Sequence, residues 1–249
     1  MKDLAGRVAV VTGAAQGIGY AIAEKLIVEK VSKLAVLDWN AEAINAAAEK
    51  LQEMSCDVEV LALQCDVSNE EMVNAVFAEI EQKLGGVDIL VNNAAITKDA
   101  IFHKMTTKQW FDVMKVNLDG TYYCCKAVIQ GMRDREYGRI INMTSSGAYG
   151  NPGQVNYTAT KGAVISLTKT LAKESARKGI TVNAIAPDFI DTAMMKAIPE
   201  DIFKEMVERC PMRRPGRPEE IAAVAAFLAN EESSYVSGEV IMCSGANRT

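Results

Sequence analysis

Tyr157 and Lys161 stand four positions apart in Tyr157-Thr158-Ala159-Thr160-Lys161, inside a stretch of helical period from about Val155 to Arg177. That spacing stacks a phenol and an ammonium on one helix face. A phenol near pKa 10 is a poor acid or base at neutral pH, and a neighbouring cation draws it toward the working range by favouring phenolate. The expected chemistry is proton transfer by Tyr157, with Lys161 lowering its pKa. Thr144-Ser145-Ser146 ends a strand pattern just upstream and brings hydroxyls to the same place. His103, the single histidine, lies in a loop pattern between Phe102 and Lys104 without a Ser or Cys elbow, so packing or exposure is expected of it and no triad. The six cysteines form no C-x-x-C pair and no metal cluster is expected; reduced, mostly buried thiols are.

A second constellation is Thr12-Gly13-Ala14-Ala15-Gln16-Gly17-Ile18-Gly19, set where a strand turns into a helix. Gly13, Gly17 and Gly19 let the backbone approach a pyrophosphate, and the helix opening at Ile18 offers free N–H groups to it. The second strand ends Val36-Leu37-Asp38. A carboxylate there accepts hydrogen bonds from the adenosine ribose and repels a 2′-phosphate, which selects NAD over NADP. Gln16 is neutral and offers no cation to a 2′-phosphate. Asp66 and Val67, ending the third strand, are placed to meet adenine, although Asp66 reads equally as the N-cap region of the next helix. Asn92-Asn93-Ala94-Ala95 closes the fourth strand with small residues, and Asn93 and Ala94 are assigned to the cofactor.

These residues need a scaffold, and the chain alternates short β-branched runs with longer helical patterns. Val8–Val11, Leu34–Leu37, Val58–Leu63, Val87–Val91, Arg139–Met143, Ile180–Ile185 and Val240–Met242 read as strands. Between them lie helical patterns, among them a long one from Thr107 to about Arg135. The rhythm predicts an α/β class, a Rossmann-type doubly wound parallel sheet of about seven strands with helices on both faces. Its ligands belong beyond the strands' carboxyl ends, at the switch point. Residues 188 to 217 break the rhythm with three prolines around a helical stretch at Glu200 to Arg209; they read as a substrate lid or, otherwise, an inert insertion.

The 249 residues, 49% hydrophobic and 24% charged, are expected to form one domain, 1 to 249, with no linker. A formal charge of -5 argues against a general nucleic-acid or anionic-membrane surface. The N-terminus carries no signal-like segment and the strongest apolar run, Ile221 to Ala229, is too short to span a bilayer, so a cytoplasmic protein is expected.

Taken together, T-G-x-x-x-G-x-G at 12 to 19, N-N-A at 92 to 94, Asn117 in Asn117-Leu118-Asp119-Gly120, a serine before Tyr157, and Y-x-x-x-K resemble the short-chain dehydrogenase/reductase family over essentially the whole chain. The resemblance implies a ketone and secondary alcohol interconverted with NAD(H). It implies that Tyr157 transfers the proton, Lys161 also binds the nicotinamide ribose, a serine orients the substrate oxygen and Asn117 supports a water relay. Counting along the strand puts that serine at Ser145, while the family's usual distance to the tyrosine falls on Thr144; Ser145 is assigned, with a deletion in the 146 to 150 loop. Pro187, Ile190 and Thr192 match the segment at the nicotinamide, Thr192 at the position that binds its amide. The family's Pro-Gly is Pro187-Asp188 here, a carboxylate able to alter cofactor affinity or substrate access.

The stretch from Thr97 to Thr106, with Gln109-Trp110, is similar to acetoacetyl-CoA and 3-oxoacyl-ACP reductases, which implies a 3-oxoacyl thioester substrate. Those relatives usually take NADPH, so Asp38 sets this chain apart. Arg133, Arg135, Lys173, Arg177 and Lys178 read either as a surface for a phosphopantetheine carrier or as ordinary solvated faces. The face Ala159, Gly162, Ala163, Ser166 permits close helix packing, and the resemblance suggests a homotetramer built partly on it. Two other readings stay open. One is an NAD-dependent dehydrogenase of a steroid, polyol or cyclic secondary alcohol; the other is an NAD-binding regulator without catalysis.

Overall fold

Each apolar run becomes a strand because parallel sheets bury both faces and admit few polar side chains. In the computed structural model, which describes residues 3–192 and 200–247, the strands are β1 (Val8–Thr12), β2 (Lys33–Asp38), β3 (Glu59–Gln64), β4 (Ile89–Asn92), β5 (Gly138–Met143), β6 (Ile180–Pro187) and β7 (Val240–Cys243). All pair in parallel, in the order β3-β2-β1-β4-β5-β6-β7. The doubly wound sheet expected from the alternation is present. The chain crosses from β3 over to β4 on the far side of β1, so the switch point lies between β1 and β4.

Helices cover both faces. They are α1 (Gly17–Val28), α2 (Ala41–Glu53), α3 (Glu70–Leu84), α4 (Thr107–Met114), α5 (Gly120–Asp134), α6 (Val155–Ser175), α7 (Glu200–Arg209) and α8 (Pro218–Ala229). The strand's period of two divides the core. Ala9 and Val11 of β1 face a cluster that includes Ile22, Leu26, Ile44 and Leu228 from α1, α2 and α8, whereas Val8 and Val10 face one with Val73, Phe77, Val128 and Met132 from α3 and α5.

One element departs from expectation. The long helix from Thr107 to Arg135 is interrupted by a π-helical turn, Lys115–Asp119, between α4 and α5. The turn widens where the Asn117 side chain leaves the helix surface to hold a neighbouring peptide, and the Thr121 hydroxyl donates to the Asn117 carbonyl at 2.9 Å. Such turns concentrate at functional sites.

The 188 to 217 excursion starts and ends at one point. Gly216 N donates to Phe189 O and Asp191 N to Gly216 O, both at 2.8 Å, and Ile190 bridges to Gly216. The middle of the expected lid, 193–199, lies outside the described residues. Its helix α7 has no buried residue, and Phe203 meets Phe189 edge-on, ring centroids 5.4 Å apart.

Candidate active site

A cleft of about 860 Å³ opens over the carboxyl ends of the strands at the switch point. Every residue assigned to the site from the sequence lines it except Gly19 and Asn117.

At one end the glycine turn joins β1 to α1. Gly13 and Gly17 take left-handed backbone, φ 64° and 60°, and a Cβ on Gly19 would meet Gly13 O at 2.2 Å, so the helix packs directly on the strand end. The Asn93 amide donates to the carbonyls of Thr12 (3.1 Å) and Gly13 (2.9 Å), while Thr12 Oγ1 accepts from the backbone N–H of Asn93 and Ala94. Asn93 thus lines the cleft while its amide holds the turn. Gln16 is the N-cap of α1, yet its side chain makes no capping bond and the first turn carries no acid. The helix's leading N–H groups stay open to an anion. Bare glycine backbone beside these donors fits the phosphates of a dinucleotide.

Asp38, at the end of β2, is oriented by accepting from Ala15 N at 3.3 Å and Asn40 N at 3.1 Å. Trp39 follows it on the cleft wall, 72% exposed, a flat apolar surface that the sequence reading missed although an aromatic directly after this acid was visible. The N-cap alternative for Asp66 gives way. Asp66 Oδ1 accepts from Ser68 N and Oγ in a turn ahead of the helix, and Asn69 caps α3 through Met72 N. Val67 sits against Gly120, where a Cβ would come within 2.8 Å of its side chain.

At the other end, Ser145 follows β5 and Tyr157 lies in the first turn of α6. Ser145 Oγ accepts from Gly147 N at 3.0 Å and hydrogen-bonds the Tyr157 side chain. Thr144, the competing position, is 3% exposed with its hydroxyl donating to Lys161 O at 2.8 Å. Period two along the strand turns the two side chains to opposite sides. Lys161 is 3% exposed, its Nζ donating to Met143 O at 2.7 Å and lying 5.6 Å from the Tyr157 ring centroid. An ammonium has three N–H donors, so a buried one on a cleft wall suits a polar ligand such as ribose hydroxyls.

The electrostatics differ from the expected lowering of the Tyr157 pKa. Burial pushes it up, the Ser145 hydrogen bond pulls it back, and Asp99 adds to the rise. Lys161 itself is driven down to about 8 by burial. In a dry site each group resists its charged form, and that outweighs the mutual help inferred from spacing.

Asn117 is fully buried behind the cleft. Its Oδ1 accepts from Ile96 N at 2.8 Å and its Nδ2 donates to Ile96 O at 3.0 Å, which clamps the backbone of one residue in the wall after β4. Asn156, missed in the sequence, does similar work: its Oδ1 accepts from Tyr157 N and its Nδ2 donates to Lys98 O and Gln109 O. A buried amide preceding the tyrosine was its signal. Asp188 lines the cleft, and its carboxylate accepts from Ser146 Oγ and Asn247 Nδ2.

Other expectations resolve locally. His103 is exposed in a short 3₁₀ turn and does not line the cleft. All six cysteines are free, four of them buried. Of the basic cluster, Arg135 caps Val87 O and pairs with Asp88 while Lys178 pairs with Glu136, next to where β5 and β6 begin. That is the opposite end of the sheet from the cleft, so these residues do not form a carrier surface at its mouth. Among the described residues no helix is long and apolar enough to cross a membrane, and no group of three His, Cys, Asp or Glu is placed to hold a metal.

Residues 13–245 match the family model described as Enoyl-(Acyl carrier protein) reductase. The chain is 42% identical to the 3-oxoacyl-[acyl-carrier-protein] reductase FabG of Aquifex aeolicus (strain VF5), over 97% of each. It is 45% identical to the acetoacetyl-CoA reductase of Synechocystis sp. (strain ATCC 27184 / PCC 6803 / Kazusa), over 99% of this chain and 98% of that relative. Among solved structures, one titled Crystal Structure of Levodione Reductase superposes with a TM-score of 0.91 at 34% identity, covering 96% of each chain.

Proposed function

Because the chain belongs to the short-chain dehydrogenase/reductase family, and is an oxidoreductase served by a nicotinamide cofactor, we propose that it is a cytoplasmic NAD(H)-dependent reductase of 3-oxoacyl thioesters. The observation that carries this reading is the Ser145 and Tyr157 hydroxyl pair beside buried Lys161, on the wall of a cleft whose other end carries Asp38. The thioester class rests on relatives named for it along nearly their whole length.

The bound cofactor supplies the hydride. Ser145 and Tyr157 together hold the substrate carbonyl oxygen, where negative charge grows as the carbonyl carbon is reduced. Tyr157, kept protonated at neutral pH by burial, gives its proton to that oxygen. Lys161 holds the nicotinamide ribose and stabilises the phenolate left behind. Asn117 serves the water relay by fixing the Ile96 backbone and the π turn, since its own amide is engaged. The glycine turn with Gln16 and Ile18 takes the phosphates, Asp66, Val67 and Ala94 the adenosine side, and Pro187, Ile190 and Thr192 the nicotinamide side. Asp38 accepts from the adenosine ribose and repels a 2′-phosphate. The excursion closes over the substrate, and the working unit is a homotetramer.

The test follows NADH oxidation with acetoacetyl-CoA, with NADPH in parallel. Turnover is expected with NADH, and Tyr157→Phe should lower it by about 10² to 10⁴ while NADH still binds. No thioester turnover, with a free ketone reduced instead, moves the assignment to an NAD-dependent dehydrogenase of a cyclic or other secondary alcohol. The structural relative titled for levodione favours that second reading.

A further inference from the structure

Asp188 stands directly after β6 on the cleft wall, where the family resemblance puts glycine. One carboxylate oxygen accepts from Ser146 Oγ, whose residue is 3% exposed and adjoins Ser145; the other accepts from Asn247 Nδ2 at 2.6 Å. Its backbone N–H donates to Cys243 O at 3.1 Å, tying it to the end of β7. Both side-chain partners are neutral donors, which fix the carboxylate in place without supplying a counter-charge. A side chain anchored on both oxygens is not a tolerated surface change. It sets a negative charge at the end of the cleft that Ser145 and Tyr157 occupy.

We propose that Asp188 is an electrostatic determinant of the cofactor's redox state: it makes the cleft hold the positively charged oxidised nicotinamide more tightly than the neutral reduced form. The inference rests on the reading that the cleft takes a nicotinamide dinucleotide with its redox end at Tyr157. Loss of a hydride leaves the ring cationic, and a fixed anion nearby favours that change of charge. Asp188 thereby makes the bound reduced cofactor a readier hydride donor, in the same direction as a protonated Tyr157. Two unit charges roughly a nanometre apart at an effective dielectric of about 20 interact strongly enough to shift a binding ratio about tenfold.

The experiment titrates the parent, Asp188→Asn, Asp188→Gly and Ser146→Ala proteins separately with NAD+ and NADH, reading Kd by quenching of protein fluorescence or by calorimetry. The ratio of Kd for NAD+ to Kd for NADH is expected to rise about tenfold in Asp188→Asn and Asp188→Gly. Ser146→Ala keeps the charge and should keep a ratio close to the parent's. An unchanged ratio in Asp188→Asn overturns the inference while leaving the cofactor site standing. Should that variant fail to fold, Asp188→Gly, with the residue the family resemblance puts there, decides in the same way. A parent protein that binds neither form overturns the reading of the cleft, and this inference with it.

Discussion

Holding Lys161 as a buried ammonium works against folding at neutral pH. Its pKa falls from the ordinary 10.5 to about 8, a difference equivalent to about 3 kcal/mol. Between about pH 8 and 10.5 the unfolded chain binds more protons at this position than the folded one, so stability contributed here rises with pH across that window. Lys161→Met is therefore expected to gain about 1 to 3 kcal/mol at pH 7, after the lost hydrogen bond to Met143 O, while abolishing turnover. Urea melts at pH 7 and pH 10 check it: the advantage should shrink at the higher pH, and an equal advantage at both would contradict the assigned pKa. Asp38→Ala is expected to narrow the preference for NADH over NADPH, read as the ratio of kcat/KM values, and an unchanged ratio would remove Asp38 from cofactor choice. Tyr157, Lys161 and the glycine turn were legible because spacing alone puts them on one face or at one strand end. The direction of the Tyr157 shift was not, because it depends on how much water the folded wall excludes.

Among the elements, the π turn is the one that periodicity hid. Apolar positions run on through Lys115–Asp119 at nearly helical spacing, and no proline marks the break; what opens the helix is Asn117 reaching out to both polar groups of Ile96. Asn117→Ala leaves the backbone N–H and C=O of Ile96 without their partner. It is expected to cost about 2 to 4 kcal/mol in stability and to lower kcat by about 10 to 100-fold. Chemical denaturation together with steady-state kinetics checks both. Normal kcat in a destabilised variant would show that the clamp serves folding alone. The same blindness concealed Asn156, since a sequence does not show that an amide inside a helix caps peptides of another segment.

At the scale of the molecule, the doubly wound parallel sheet and a cleft beyond its carboxyl ends followed from the β-α alternation, because handedness and parallel pairing leave few ways to wind it, whereas the strand order is set by where the chain reverses and alternation alone does not show that. What lies at which end of the sheet was harder to see. The basic cluster around Arg135 read either as a carrier surface or as ordinary solvated faces, and its residues lie where strands begin, a strand's length from the ends that line the cleft. The α6 face of Ala159, Gly162, Ala163 and Ser166 stays only partly covered in the isolated chain. If it joins subunits, Ala163→Arg should halve the tetramer's mass in light scattering; an unchanged mass would place the interface elsewhere. The knot at Phe189, Ile190, Asp191 and Gly216 has a separate consequence. Since the chain returns at Gly216 to the point it left at Phe189, the stretch around α7 can be lengthened or shortened at the small entropic charge of a longer loop, provided Thr192 on the cleft wall and the buried Cys210 are kept. It is a graftable cassette, and substrate choice can diverge there while the rest of the sequence stands still.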